Sequence, residues 1–148
     1  MTEDTSNGII KNETGAQTLL GYVLDVGHED RKARCLIEIT DEHLNRHASL
    51  HGGISSAVLD NAMGATASLT VDKTGRRPFL TISLNTHYLA PAKKGDVLTA
   101  IGRVVGGGMS TKFLEGELRD QNGKLIATAT GVFKRVPEKR LAPESTAE

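Results

Sequence analysis

The chain has 148 residues, enough to bury one good core, with 18 basic and 18 acidic side chains and a formal net charge of zero. A single domain follows, and without a basic run or stripe the expectation is no binding to a nucleic-acid backbone. Two tyrosines, three phenylalanines and no tryptophan leave little for stacking bases, and the one cysteine, Cys35, supplies neither an intrachain disulfide nor a zinc site of two thiolates.

The opening "MTEDTSNGIIKNETGAQ" has no basic segment followed by an apolar one, so it does not read as a secretory signal. No stretch approaches the ~18 apolar residues of a membrane helix. The expectation is a cytoplasmic protein away from membranes, in which the sequon at Asn12 to Thr14 has no meaning. Residues 1–16 read as a flexible polar tail. Residues 137–148, with Pro137 and Pro143 among charges, read as a second tail, leaving 17–136 as the domain.

Within the domain, "LLGYVLDVG" and "ARCLIEIT" read as two strands joined into a hairpin by the polar turn from His28 to Lys32. Cys35 falls in the second and is a small core residue. A polar connector, "DEHLNRHASLHGG", leads into a helix from Ile54. There Ile54, Ala57, Val58, Ala62, Ala65 and Leu69 recur at helical intervals. The opposite side, Ser56, Asp60, Met63, Gly64 and Ala67, is small or apolar, and no lysine, arginine or glutamate occurs between Ile54 and Leu69. A helix without a charged face is enclosed on more than one side.

Four strand-like segments follow: "FLTISLNTHYL", "DVLTAIGRVV", "TKFLEGELRD" and "KLIATATGVFKRV". The breaks carry Pro91 with Lys93 to Gly95, then Gly106 to Gly108, then Asn122-Gly123, whose pairing suits a type I′ hairpin. Three short connections predict antiparallel neighbours. No helical segments alternate with the strands, so a doubly wound parallel sheet is not expected. The reading is α+β, an antiparallel sheet wrapped around one central helix.

That order, with His51-Gly52-Gly53 followed seven residues later by Asp60, resembles the hotdog-fold acyl-CoA thioesterases of the phenylacetate-pathway (PaaI-like) family. The resemblance spans residues 18 to 136 in element order. Its specific part is Asn45 six residues before the histidine, the "HGG…D" helix opening, Thr81, and Asn85 with Tyr88 before "LAPA".

Each of these residues has a chemical and a structural reading. At a helix start the first backbone N–H groups lack intrahelical partners and the dipole adds positive potential, so Gly52 and Gly53 are candidate oxyanion donors, or simply turn glycines. Asp60, a carboxylate among apolar residues, needs hydrogen bonds or a function. The resemblance implies that it acts on the thioester as nucleophile or as general base for water; the alternative is an acid capped by Ser56 or by another subunit's hydroxyl. The resemblance likewise implies that Asn45 polarises the carbonyl and that Thr81 bonds the attacking water or Asp60. Otherwise Asn45 makes a local turn and Thr81 is an ordinary strand residue. His51 orients the helix start. His43 and His47 share a His-x3-His spacing but lack a third ligand, so no metal is expected.

In "GGGMSTKF", the amides of Gly107 and Gly108, the hydroxyls of Ser110 and Thr111 and the charge of Lys112 form a candidate cradle for the pantetheine and phosphates of CoA, or else a glycine-rich hairpin turn. Arg76, Arg77, Lys134 and Arg135 are further candidates for the phosphates. No cofactor is expected beyond the CoA of the substrate.

Small residues Ser56, Gly64 and Ala67 beside Asp60 permit close approach of another surface, so a homodimer is expected, paired further into a tetramer. The resemblance implies an active site spanning two subunits. The small residues Ala62, Gly64 and Ala65 suggest room for an aryl or medium-chain acyl group. Two other functions fit the same fold: an enoyl-thioester hydratase or dehydratase, and a non-catalytic acyl-CoA sensor.

Overall fold

The computed structural model describes residues 7–140. The expected flexible tails at residues 1–6 and 141–148 lie outside them. Along the chain run β1 (Ile9–Ile10), α1 (Gly15–Leu20), β2 (Val23–Asp25), β3 (Arg34–Glu38), α2 (Gly52–Leu69), β4 (Phe79–Tyr88), β5 (Val97–Gly107), β6 (Thr111–Arg119) and β7 (Leu125–Arg135). The strands form one seven-stranded antiparallel sheet in the order β1-β2-β3-β5-β6-β7-β4. The 18-residue α2 packs across it. This is the hotdog arrangement, an α+β fold with one long central helix.

Local chemistry corrects the expected start of the domain. Leu19 and Leu20 belong to a helix, not a strand, because Thr14 caps α1 by accepting from Gln17 N–H (3.1 Å) and Gly21 closes it at φ 80°. Buried Gln17 ties that helix to its flanks, its amide donating to Ile10 O (2.8 Å) and Tyr22 O (3.2 Å). Residues 7–16, expected as tail, include β1, which pairs with β2. At the other end, residues 138–140 form one short 3-10 turn.

A second correction concerns β4. It pairs with β7 at the far edge of the sheet, not with β5 as the short connection suggested. Residues 89–96 span the width instead. Leu89 and Ala90 donate to Ile126 O, buried Ala92 accepts from Leu50 N–H, and Gly95 and Asp96 bond Ile39, which delivers the chain to β5 beside β3. The Asn122-Gly123 turn also differs. Only Gly123 has positive φ (81°), and its N–H closes on Asp120 O (3.0 Å), whereas a type I′ turn needs two left-handed residues.

The core lies between α2 and the sheet: Val58, Leu59, Ala62, Met63 and Ala67 meet Cys35, Ile37, Leu98, Ala100, Leu114, Leu118, Ala127, Ala129 and Phe133. Each fully buried large aliphatic contributes about 1.5–3 kcal/mol. Helix and sheet approach closely at Gly102, where a Cβ would stand 2.6 Å from Thr66 Oγ1 and 2.7 Å from Ala62 O. Any side chain there would push the helix off the sheet.

The sheet also carries a bulge that sets the site. Thr81 opposes Phe133 and Ser83 opposes Val132, leaving Ile82 as an extra residue. Leu84 and Phe79 both pack against the core although they are five residues apart, an odd number that regular alternation would place on opposite faces. The bulge turns Phe79 and Thr81 inward and leaves Leu80 and Ile82 exposed (57% and 60%).

Candidate active site

The helix start is built from its connector. Asn45 N–H donates to Ser49 O (2.7 Å) and Ala48, at φ 59°, turns the chain back. The Asn45 side-chain oxygen accepts from His47 N–H (2.9 Å) and Ser49 N–H (3.2 Å). Two donors on that oxygen fix the orientation of the amide, so its NH2 group is the end left to donate. Asn45 therefore makes the local turn and keeps an NH2 group with no partner among the described residues.

His51 is the N-cap of α2, its Nδ1 accepting from Gly53 N–H (2.9 Å). The two candidate donors are thereby separated. Gly53 N–H is occupied by the cap, while Gly52 N–H has no partner among the described residues. Gly52 and Asn45 line a cavity of about 390 Å³ with Ser49, Leu50, Ser55 and Ile126, roofed by Tyr88 to Ala92. The Tyr88 ring lies against Gly52, where a Cβ would meet Cε1 at 3.0 Å. A side chain at this position would have to displace the ring by a few tenths of an ångström.

Tyr88 is held in turn by Ser56, whose hydroxyl donates to Thr86 Oγ1 (2.9 Å) and lies 2.8 Å from the Tyr88 hydroxyl. The alternation Thr86, Tyr88 on a strand facing Ser56 on a helix was the available sequence signal for this trio, but pairing it required knowing which strand lies over α2.

Asp60 lies farther along α2 and is half-buried in the single chain. Thr81 Oγ–H donates to Asp60 Oδ1 across 2.6 Å. Next to it, buried Tyr22 donates to Asn61 Oδ1 (3.0 Å), and burial raises the Tyr22 phenol above its ordinary value. Gly64 faces Phe133, and Ala62 and Ala65 are buried in the core, so the latter two do not make the pocket expected of them.

The glycine-rich segment forms the β5–β6 hairpin turn. Gly107 is left-handed (φ 102°), a Cβ there would collide with Thr111 O, and Gly108 N–H donates to Thr111 O (2.8 Å). Ser110 O accepts from Arg135 N–H (2.8 Å). Both glycines thus serve the turn, and the Gly108 amide is not available to a ligand. Lys112 stands opposite Phe133, itself opposite Thr81, so all three share one face. At ~4.8 Å per strand Lys112 lies about 10 Å from Thr81. This turn belongs to the Asp60 end of the sheet and not to the Gly52 cavity.

His43 is buried with both ring nitrogens engaged: Nδ1 accepts from Thr40 N–H (3.0 Å) and Nε2–H donates to Leu20 O (2.8 Å). Among the described residues no group of three or more His, Cys, Asp or Glu is placed to hold a metal, and no helix is long and apolar enough to cross a membrane. Cys35 is fully buried, which pushes its thiol well above the ordinary range.

The model of the thioesterase superfamily matches residues 47–127, a stretch that contains Gly52, Asp60 and Thr81 and begins just after Asn45. Acyl-coenzyme A thioesterase 13 of Homo sapiens is 30% identical over 123 residues, covering 80% of this chain and 86% of its own. A phenylacetic acid degradation-related protein from Ralstonia eutropha JMP134 superposes with a TM-score of 0.69 at 28% identity, over 80% of this chain and 88% of its own. The E. coli PaaI protein of the phenylacetic acid degradation operon shares the fold, with a TM-score of 0.70 at 23% identity over 84% and 86% of the two chains.

Proposed function

The chain belongs to the thioesterase superfamily, a PaaI-like thioester hydrolase, and we propose that it hydrolyses an aryl- or medium-chain acyl-CoA to the free acid and CoA. The observation that carries this reading is a pair of donors without partners among the described residues, Gly52 N–H and the Asn45 NH2, on residues that line one cavity. A thioester oxygen placed there gains two hydrogen bonds and the positive end of an 18-residue helix, which stabilise the charge that develops on attack.

Asp60 supplies the other half. Its carboxylate, held by Thr81, attacks the carbonyl carbon directly or removes a proton from the attacking water. The cavity walls of Leu50, Leu89, Ala90, Pro91 and Ile126 suit an apolar acyl group of that size class. In this reading Lys112 and the exposed Ser110 meet CoA at the Asp60 end.

Gly52 and Asp60 are eight residues apart on one helix, about 12 Å along its axis. One carbonyl cannot touch both. The reading therefore joins Gly52 and Asn45 of one copy to Asp60 and Thr81 of a second, in a homodimer that pairs further into a tetramer. The exposed edge strand β4, with unpaired backbone groups on one side, is suited to continue the sheet into that copy.

The test is release of free thiol from a panel of aryl- and fatty acyl-CoA substrates by the wild type and by Asp60→Ala. Hydrolysis that falls by orders of magnitude in the variant supports the reading. Absence of thiol release from every substrate overturns it. Hydration of an enoyl-CoA without CoA release would then identify a hydratase, and tight binding without turnover a sensor.

A further inference from the structure

One hydroxyl beside the Gly52 cavity has no partner among the described residues. Ser55 is 3% exposed and sits on a side of α2 otherwise filled by Val58, Leu59 and Ala62. A buried hydroxyl in a helix ordinarily bonds the carbonyl four residues back. Thr66 does so with Ala62 O (2.7 Å). For Ser55 that carbonyl is His51 O, which already accepts from Ile54 N–H (3.0 Å) and Ser55 N–H (3.3 Å).

Ser55 Oγ has no partner among the described residues, yet it is not sealed in the core as Ser68 Oγ is, and its residue lines the cavity with Gly52 and Asn45. Neighbouring Ser56 offers a contrast, because its hydroxyl is committed to Thr86 and Tyr88. Helical side chains lean toward the N-terminus, so the Ser55 hydroxyl overhangs the turn that begins at Gly52. An oxygen held on Gly52 N–H comes within its reach.

We propose that the Ser55 hydroxyl is a third donor to the substrate oxygen, alongside Gly52 N–H and the Asn45 amide. The proposal rests on the acyl-CoA thioesterase reading above. A thioester carbonyl oxygen has two lone pairs, which Gly52 and Asn45 satisfy. When the nucleophile bonds to carbon, the π electrons move onto oxygen and create a third lone pair, and Ser55 donates to it while keeping its proton. When the C–S bond breaks the electrons return and CoA leaves as thiolate. The third bond is thus strongest in the transition state, and its loss lowers kcat more than it raises KM.

The experiment compares wild type with Ser55→Ala in two assays. In thiol release, kcat falls by about 10- to 100-fold while KM changes by less than about threefold. In calorimetry, the wild type binds the trifluoroacetonyl thioether of CoA, whose electron-poor ketone hydrate loses a proton to buffer to give a tetrahedral oxyanion with three lone pairs, more tightly than the propyl thioether of CoA. Ser55→Ala reduces that preference about tenfold. Equal preference in the two proteins, or none in the wild type, overturns the proposal, as does unchanged kcat in an active enzyme. If no acyl-CoA is hydrolysed but the preference exists and depends on Ser55, the hydrolase reading fails while the oxygen site stands.

Discussion

Thr81 Oγ–H and Asp60 Oδ1 lie 2.6 Å apart, joined across the gap between the edge strand and the central helix. The contact depends on the extra residue Ile82, which reverses the facing of the first half of β4. Thr81→Val keeps the β-branched shape and removes the donor. Thiol release is expected to fall about tenfold, about 1.4 kcal/mol in barrier, because the bond orients the reacting carboxylate. Activity equal to wild type would show that the bond is idle in catalysis.

Gly52→Ala keeps the backbone N–H but adds a Cβ 3.0 Å from Tyr88 Cε1. The ring must shift, drawing its hydroxyl from Ser56 and crowding the cavity. Turnover is expected to drop by tenfold or more, about 1.4 kcal/mol in barrier. Combining it with Tyr88→Ala relieves the contact and recovers part of the loss. A double variant worse than the product of the two singles contradicts this steric account.

His51 has a structural task, accepting from Gly53 N–H at the start of α2. His51→Ala is expected to cost about 1 kcal/mol of stability, as lost caps do, and to lower Tm by about 3 °C. His51→Asn restores an acceptor and most of the stability. Thermal melts of the three proteins decide the matter.

Asp96 supplies a pH-dependent term. It is buried at the head of β5, accepting from Lys93 N–H (2.9 Å) and from the Gln121 side-chain amide (3.0 Å), and these bonds, the backbone one first, hold its carboxyl below the ordinary value. A carboxylate favoured by folding stabilises the protein fully above the unfolded value of about 4 and loses that effect as pH falls through the lower folded value. Asp96→Ala is therefore expected to lose about 1–3 kcal/mol at neutral pH. The gap to wild type narrows as pH falls below about 4, and urea unfolding at several pH values follows it. A gap that widens toward acid would refute the assignment.

The sequence by itself determined the local features of this protein. The helical interval from Val58 to Leu69, the lack of lysine, arginine and glutamate along α2 and the four strand-like segments after it each follow from patterns that a short window displays, although Met63 and Ala67, read as the far side, are buried in the core with Val58. The same holds for the turn chemistry between β5 and β6. These depend on residues a few positions apart. Thr14 and Gly21 were equally local signals, and the run of Leu19, Leu20, Tyr22 and Val23 concealed them by resembling a strand.

Only the tertiary structure decided the rest. That β4 pairs with β7, that the bulge at Ile82 turns Thr81 toward Asp60, and that Tyr88 covers Gly52 all depend on contacts between segments 20 or more residues apart. The division between Gly52 and Gly53 was decided there too, by one imidazole nitrogen that caps the second N–H and leaves the first, at a cavity wall, without a partner among the described residues. A sequence records which groups can donate and accept. Which of them are left without a partner is settled when every other group has found its own, and that balance exists only in the folded chain.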